Sequence, residues 1–186
     1  MKLYVKNMVC NRCKLIVQQV LEKSGVLPLS VTLGEVIVEE ELSNSEKLIL
    51  DSQLQKFGFL LIEDKSIRMV SQIKCLIIEL VHYRNNSLNG KLSEYLSHTL
   101  HHDYTHLSNL FSDIEHITIE RYYITQKIEK VKELLVYDEL SLSEIAYRLN
   151  YSSVAHLSNQ FKKITGYTPT HFKNTRTKDR RTLDEI

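Results

Sequence analysis

The chain has 186 residues, of which 42% are hydrophobic and 25% charged, with five glycines and two prolines. That is the composition of a globular protein long enough for two small domains; a disordered linker or an all-β chain needs more glycine and proline. The net charge of +1 hides an asymmetry: Lys and Arg stand against Asp and Glu as 8 to 9 over residues 1–65, 8 to 10 over 66–140 and 8 to 4 over 141–186, so a positive field belongs to the last stretch.

The N-terminal run MKLYVKNMVC is interrupted by Lys6 and Asn7, too early for a signal-peptide core. Cys75–Val81, the longest apolar stretch, is far short of a membrane span and contains Glu79. These features predict a cytoplasmic protein with no membrane partner. In that reducing setting the three cysteines are expected as thiols or metal ligands rather than disulfides.

In chain order, residues 2–7 alternate as a strand and Cys13–Ser24 carries Leu15, Ile16, Val20 and Leu21 at helical spacing. Leu29–Glu41 reads as a hairpin turning at Gly34 and Glu35, Ser45–Phe57 as a second helix and Phe59–Glu63 as a last strand. The order βαββαβ predicts a ferredoxin-like domain over residues 1–65. Its first strand-to-helix loop reads NMVCNRC. This loop resembles that of the heavy-metal-associated domains of copper chaperones and metal-pumping ATPases, with Met8, Cys10 and Cys13 matching and Asn7 in place of a glycine. The resemblance implies Cys10 and Cys13 as metal ligands, with a metallochaperone as a possible partner. It also implies that Phe59, after Gly58, shields the thiolates.

Two soft thiolates at a helix start suit Cu(I), because low coordination and soft ligands select it, whereas Zn(II) usually takes four ligands. Cys13, at the predicted N-terminus of the helix, is expected to have its thiol pKa lowered by the helix dipole and free N–H groups. Met8 is expected to pack rather than ligate. A thiol redox pair and an inert structural pair are the competing readings of Cys10 and Cys13. Cys75 lies on an apolar helix over 67–84 and reads as a small core residue. His98, His102 and His106 fall at four-residue spacing, but a turn is expected to break the run, so no metal role is assigned to them.

Residues 92–122 and 142–172 align without a gap at an offset of fifty positions. Leu92, Ser93 and Glu94 meet Leu142, Ser143 and Glu144; His106, Leu107, Ser108 and Asn109 meet His156, Leu157, Ser158 and Asn159; Phe111 meets Phe161 and Tyr122 meets Phe172. Such register is the mark of internal duplication. Each copy reads as a helix-turn-helix unit: Ile145, Ala146 and Leu149 form one apolar stripe and Leu157, Phe161 and Ile164 the next. Asn150 is placed at the turn, where a positive φ is tolerated, and Ser153 and Asp103 are placed as N-caps of the second helices.

The run SEIAYRLNYSSVAHLSNQFKKITGYTPTHFK resembles the C-terminal signature of the AraC/XylS transcription regulators, and IERYYITQKIEKVKELLVYDEL is similar to their linker helix, with Lys127 where arginine is usual and Val131 where alanine is usual. The resemblance covers roughly residues 67–175. It implies an all-α DNA-binding domain over 66–175 whose two units enter successive major grooves about 34 Å apart. Carried across, Val154, Ala155, His156, Ser158 and Asn159 face base edges. Asn159 suits adenine, His156 suits guanine or phosphate, and Val154 and Ala155 offer apolar contact. Ser152, Lys162 and Lys163 suit phosphate. In the first unit Tyr104, Thr105, Ser108 and Asn109 are the counterparts, but Ser112 and Asp113 replace the two lysines and His116 replaces Gly166. The first unit is therefore expected to add little affinity. Lys162, Lys163 and Lys173, with Arg176, Lys178, Arg180 and Arg181 of a basic tail over 176–186, carry most of the neutralising charge.

The reading is an α+β chain: a ferredoxin-like domain followed by two helix-turn-helix units joined by a long helix. It predicts a transcription regulator of double-stranded DNA, responsive to Cu(I) or another soft metal ion or to thiol state, as a monomer or homodimer. The alternatives are a metal carrier whose helical domain makes protein contacts and a thiol redox protein. No catalytic constellation beyond the cysteine pair is present, so no enzyme activity is expected.

Overall fold

The computed structural model describes residues 1–88, 90–137, 139–175 and 183. Backbone contacts gather the chain into two compact units, Met1–Cys75 and Leu76–Ile186.

The first unit runs β1 (Lys2–Lys6), α1 (Asn11–Lys23), β2 (Pro28–Val31), β3 (Glu35–Val38), α2 (Asn44–Gln55) and β4 (Leu60–Leu61), followed by the start of α3 (Lys65–Ile78). The strands form one sheet in the order β2-β3-β1-β4, with every neighbouring pair antiparallel. Alternation does what the sequence asks of it: Leu3 and Val5 turn inward from β1 while Lys2 and Lys6 stay exposed. Val36 and Val38 of β3 join them, and Val17, Val20 and Leu21 of α1 close over the core with Leu50 and Leu54 of α2.

The expected element order is observed, with shifts at the ends. α1 opens at Asn11, ahead of the predicted Cys13, because Cys10 takes the extended backbone of an N-cap (φ −151°, ψ 170°). Gly34 lies in the hairpin turn at φ +78°, but Glu35 already belongs to β3, its carbonyl accepting from the Thr32 amide at 2.9 Å and the Thr32 hydroxyl at 3.0 Å. Gly34 is required twice over: its φ is left-handed, and a Cβ there would sit 2.7 Å from Cys75 Sγ. Cys75 is thus half-buried, wedged at the turn with its thiol 3.8 Å from the Met8 carbonyl, rather than buried in the core. β4 is reduced to two residues paired with Val5 and Lys6, while Phe59 is buried in the core instead of lying in the strand.

α3 begins at Lys65, and its first turns lie against the sheet, with the Arg68 guanidinium 4.3 Å above the Tyr4 ring. The helix expected over 67–84 is not uniform. It is α-helical to Ile78 and then widens into a π-helical turn over Glu79–Tyr83, where the Arg84 amide donates to the Glu79 carbonyl five residues back.

The second unit continues with α4 (Leu92–Leu100), α5 (Tyr104–Glu115), α6 (Ile119–Tyr137), α7 (Leu142–Arg148), α8 (Val154–Thr165) and α9 (Pro169–Thr175). Equivalent apolar positions of the two repeats fill equivalent places. Phe111 meets Tyr122 with ring centroids 5.6 Å apart, and Phe161 meets Phe172 at 5.5 Å. Leu107 and Leu157 are fully buried. The predicted N-caps form: Asp103 accepts from the Thr105 and His106 amides and Ser153 from the His156 amide.

The 19-residue α6 is buried almost all round, including Gln126, Lys127, Glu129, Lys130 and Lys132. Lys132 pairs with Glu129 at 2.8 Å and Lys130 with Glu133 at 2.6 Å, so four of the charges on α6 are matched along the helix itself, while Lys127 stands over the Tyr151 ring. Among the described residues no helix is long and apolar enough to cross a membrane.

Candidate nucleic-acid interface and thiol pair

α8 buries Leu157 and Phe161 and leaves Ala155, His156, Asn159, Lys162 and Lys163 exposed. Ala155, Asn159 and Lys162 recur at i, i+4 and i+7, and His156, Asn159 and Lys163 at i, i+3 and i+7, which places them on one outward face. Five of the seven second-unit positions chosen on α8 are thereby brought together. The other two stand back: Ser158 is half-buried, and Val154 is half-buried against the core cluster around Leu157. Lys162 and Lys163 close the last turn of α8, where cations complement the helix dipole, before Gly166 caps it at φ +83°.

Ser152 precedes the helix, and its hydroxyl lies 3.0 Å from His156 Nδ1. The Tyr151 ring meets the His156 ring edge-on at 5.3 Å. Tyr151 is itself fixed: its hydroxyl donates to Gln160 Oε1 at 2.7 Å, and Lys127 Nζ stands 3.7 Å above its ring. Burial raises the Tyr151 phenol well above its ordinary range, so it stays a donor, and burial lowers Lys127 to about 8. Asn86 links the same region: its amide nitrogen donates to the Leu149 carbonyl at 3.0 Å, its carbonyl accepts from Asn150 at 2.8 Å, and its side-chain oxygen accepts from the Tyr123 hydroxyl. Periodicity alone did not single out Lys127, Tyr151 or Asn86, because polar groups this deep look like surface residues in a hydropathy pattern. The signal available was that Lys127 shares a helix face with Ile124 and Val131, at i−3 and i+4.

On α5, Thr105 and Asn109 are exposed while Tyr104 and Ser108 are half-buried. In place of the lysine pair stand half-buried Ser112 and exposed Asp113, and the C-cap is His116 at φ +57°. The Asp103 carboxyl is held below its usual range by the amide and hydroxyl of Thr105 and then by the His106 amide, so the first turn of α5 carries a fixed anion. The histidine run is broken as expected, since α4 ends at Leu100 and α5 starts at Tyr104. Among the described residues no group of three or more His, Cys, Asp or Glu is placed to hold a metal ion. Lys173 is exposed on α9, and Arg176, Lys178, Arg180 and Arg181 lie outside the described residues.

In the first unit, Cys10 and Cys13 bring their sulfurs to 3.2 Å. Asn7 takes the left-handed backbone (φ +72°) that a glycine would otherwise supply, and its amide donates to the Gly58 carbonyl at 2.9 Å. Met8 is buried, and Cys13 packs against the core cluster that contains Met8 and Phe59. Burial works to raise both thiols. At Cys10 it is outweighed by hydrogen bonds from the Cys13 thiol and amide and from Arg12, and the thiol falls below its ordinary range. At Cys13 burial prevails and the thiol rises. This reverses the expectation that Cys13 is the activated thiol: Cys10 holds the N-cap, and Cys13 lies inside the first turn.

The second unit thus holds two helix-turn-helix arrangements with exposed faces on α5 and α8, joined by the buried α6. Comparison with known proteins agrees. Residues 96–175 match a helix-turn-helix domain family. An uncharacterized helix-turn-helix-type transcriptional regulator of Staphylococcus aureus is 32% identical over 107 residues, which are 58% of this chain and 14% of that protein. The Escherichia coli regulator YdiP is 27% identical over 99 residues, 53% of this chain and 33% of that protein. The solved C-terminal domain of AraT, a response regulator from Geobacillus stearothermophilus, superposes with a TM-score of 0.52 at 25% identity, covering 64% of this chain and 94% of that one. The chain thus spans a third or less of the length of these curated relatives. Residues 96–175 are thus similar to a helix-turn-helix domain family, and the helical unit to the C-terminal domain of AraT.

Proposed function

We propose that the chain is a sequence-specific, DNA-binding transcriptional regulator of the cytoplasm in which α8 is the principal reading element. The observation that carries this is the exposed α8 face, where His156 and Asn159 supply polar groups for base edges and Lys162 and Lys163 supply cations at the phosphate-facing end. The test is binding of the full chain to duplex DNA across a salt series. A regulator of this design loses affinity steeply as salt rises; binding independent of salt ends the proposal.

We further propose that the N-terminal unit is a ferredoxin-like domain of the heavy-metal-associated type, and that Cys10 and Cys13 hold one Cu(I). The donor set fits: two thiols in contact, with Cys13 packed against the core cluster that contains buried Met8. Cys10 and Cys13 would hold the ion, which would supply a soft cation to the pair. Cys10, the more readily ionised thiol, is the first to be available. Cu(I) competition titrations on the full chain are expected to show one ion per chain, lost in Cys10→Ser/Cys13→Ser without a change in melting. If the ion is a signal, it shifts DNA affinity by roughly five- to 150-fold, and DNA shifts copper affinity by the same factor. Copper binding no tighter than that of the double variant ends the metal reading; tight binding with unchanged DNA affinity keeps the site and ends the coupling.

A further inference from the structure

His156 is exposed, yet its ring is not left free. It stands at the third position of α8, where its amide is fixed by Ser153 Oγ at 3.1 Å. Ser152 Oγ approaches Nδ1 at 3.0 Å, and the buried Tyr151 ring closes one side edge-on. Tyr151 in turn is clamped between the Gln160 contact and the Lys127 cation on α6. An exposed imidazole at a binding surface ordinarily loses rotamer freedom when it docks; here most of that ordering is already done.

We propose that Ser152 and Tyr151 set the His156 ring so that Nε2–H points outward as a single donor to N7 of one guanine, making Ser152 a positioning residue for base readout and not a phosphate contact. The inference rests on the reading of α8 as the DNA-reading helix. In the proposed arrangement the Ser152 hydroxyl donates to Nδ1, which leaves the ring proton on Nε2; the reverse direction would place the proton on Nδ1 and make Nε2 an acceptor. In the major groove, guanine offers N7 beside a second acceptor, O6, whereas adenine sets the N6 amino donor beside N7 and so opposes an approaching N–H. With its proton committed to Nδ1, Ser152 has none left for a phosphate oxygen. Asn159, one turn further along the same exposed face, is free to take a neighbouring adenine.

The first unit is a built-in control. Fifty positions earlier stand His101, His102 and His106. His101 is exposed in a left-handed backbone (φ +56°) instead of buried, and the His106 ring faces the His102 ring at 5.6 Å, with an imidazole where the second unit has a hydroxyl. The clamp is therefore confined to α8.

The test uses the full chain, a random duplex pool and the selected duplex with 7-deazaguanine, which lacks only the N7 acceptor. Wild type is expected to select guanine at one position and to lose about tenfold affinity on the 7-deaza duplex. Ser152→Ala should flatten the preference at that position alone, by about five- to tenfold, leaving the salt slope and non-specific affinity unchanged, and Ser152→Thr should restore it. If Ser152→Ala instead weakens all duplexes alike and lowers the salt slope by about one, Ser152 is a phosphate contact and the proposal is overturned. It is also overturned if wild type selects adenine or cytosine there and ignores the 7-deaza change, since Nε2 is then an acceptor. A pool that yields no motif for wild type removes the reading of α8 itself, a result distinguishable from both.

Discussion

The two helix-turn-helix units share a skeleton and differ in skin. α5 and α8 have the same length, both are N-capped, and both bury a leucine and a phenylalanine at equivalent positions. Yet α8 ends in Lys162, Lys163 and a left-handed glycine, whereas α5 ends in Ser112, Asp113 and a left-handed histidine. The shared part is what burial enforces; the divergent part lies at exposed or half-buried positions, where packing constrains the side chain less. One unit carries the lysine pair that the proposed phosphate contact needs, and the other carries the same fold without it.

The largest expected effect tests the shared skeleton. Phe111→Ala and Phe161→Ala each empty a fully buried ring site and should cost about 3–5 kcal/mol by denaturant unfolding. Similar losses in the two units support equivalence of the cores; a cost confined to Phe161 would make the first unit a loosely packed appendage.

Next comes the charge difference. Lys162→Ala/Lys163→Ala should weaken DNA binding on every sequence by roughly one to two orders of magnitude and lower the salt slope by about two, while Ser112→Ala/Asp113→Ala changes little. Equal effects in the two units would break the comparison, and Ser112→Lys/Asp113→Lys should sharpen it by raising affinity.

A third experiment concerns the cation beneath the second unit. Burial lowers Lys127 to about 8, below its unfolded value of 10.5. The lysine is charged in both states below pH 8, so the folded state bears the burial cost there. Between about pH 8 and 10.5 the unfolded chain binds more protons, and stability rises with pH. The cation–π contact with Tyr151 offsets part of the cost, so the rise should be about 1–2 kcal/mol and absent in Lys127→Met when unfolding is followed at pH 7.5 and 9.5. A wild-type profile that falls over this window would mean that Tyr151 and Tyr123 hold the charge better than burial opposes it.

The smallest effect sits at the C-caps. His116→Gly should stabilise the chain by about 0.5–1 kcal/mol, because only glycine enters the left-handed region without strain. Gly166→Ala should cost about 1 kcal/mol, from φ alone, since a Cβ there meets nothing within 4 Å.

Much of this architecture was legible before any coordinates. Alternation at Leu3 and Val5, the fifty-residue repeat, the caps at Asp103 and Ser153 and the left-handed turn at Asn150 all follow from local rules, and local rules suffice where neighbours in sequence are neighbours in space. What escaped depended on distant partners. The left-handed residue of the first turn is His101, one place later than the alignment with Asn150 suggests, because α4 runs to Leu100 while α7 stops at Arg148. The burial of Lys127, Glu129, Lys130 and Lys132 comes from helices packing on every side of α6, which no single-helix stripe reveals. The 3.0 Å approach of the Ser152 hydroxyl to the His156 ring is likewise invisible to sequence spacing.

The enclosure of α6 also makes its length count in whole residues. Deleting one residue from a straight helix turns everything beyond it by about 100° and draws it in by about 1.5 Å. A helix with one free side could absorb that by rolling; α6, wrapped along most of its 19 residues, has nowhere to roll. The phase between α5 and α8 is therefore discrete, and an insertion or deletion inside α6 would be tolerated, if at all, near a seven-residue step that returns the buried faces to register.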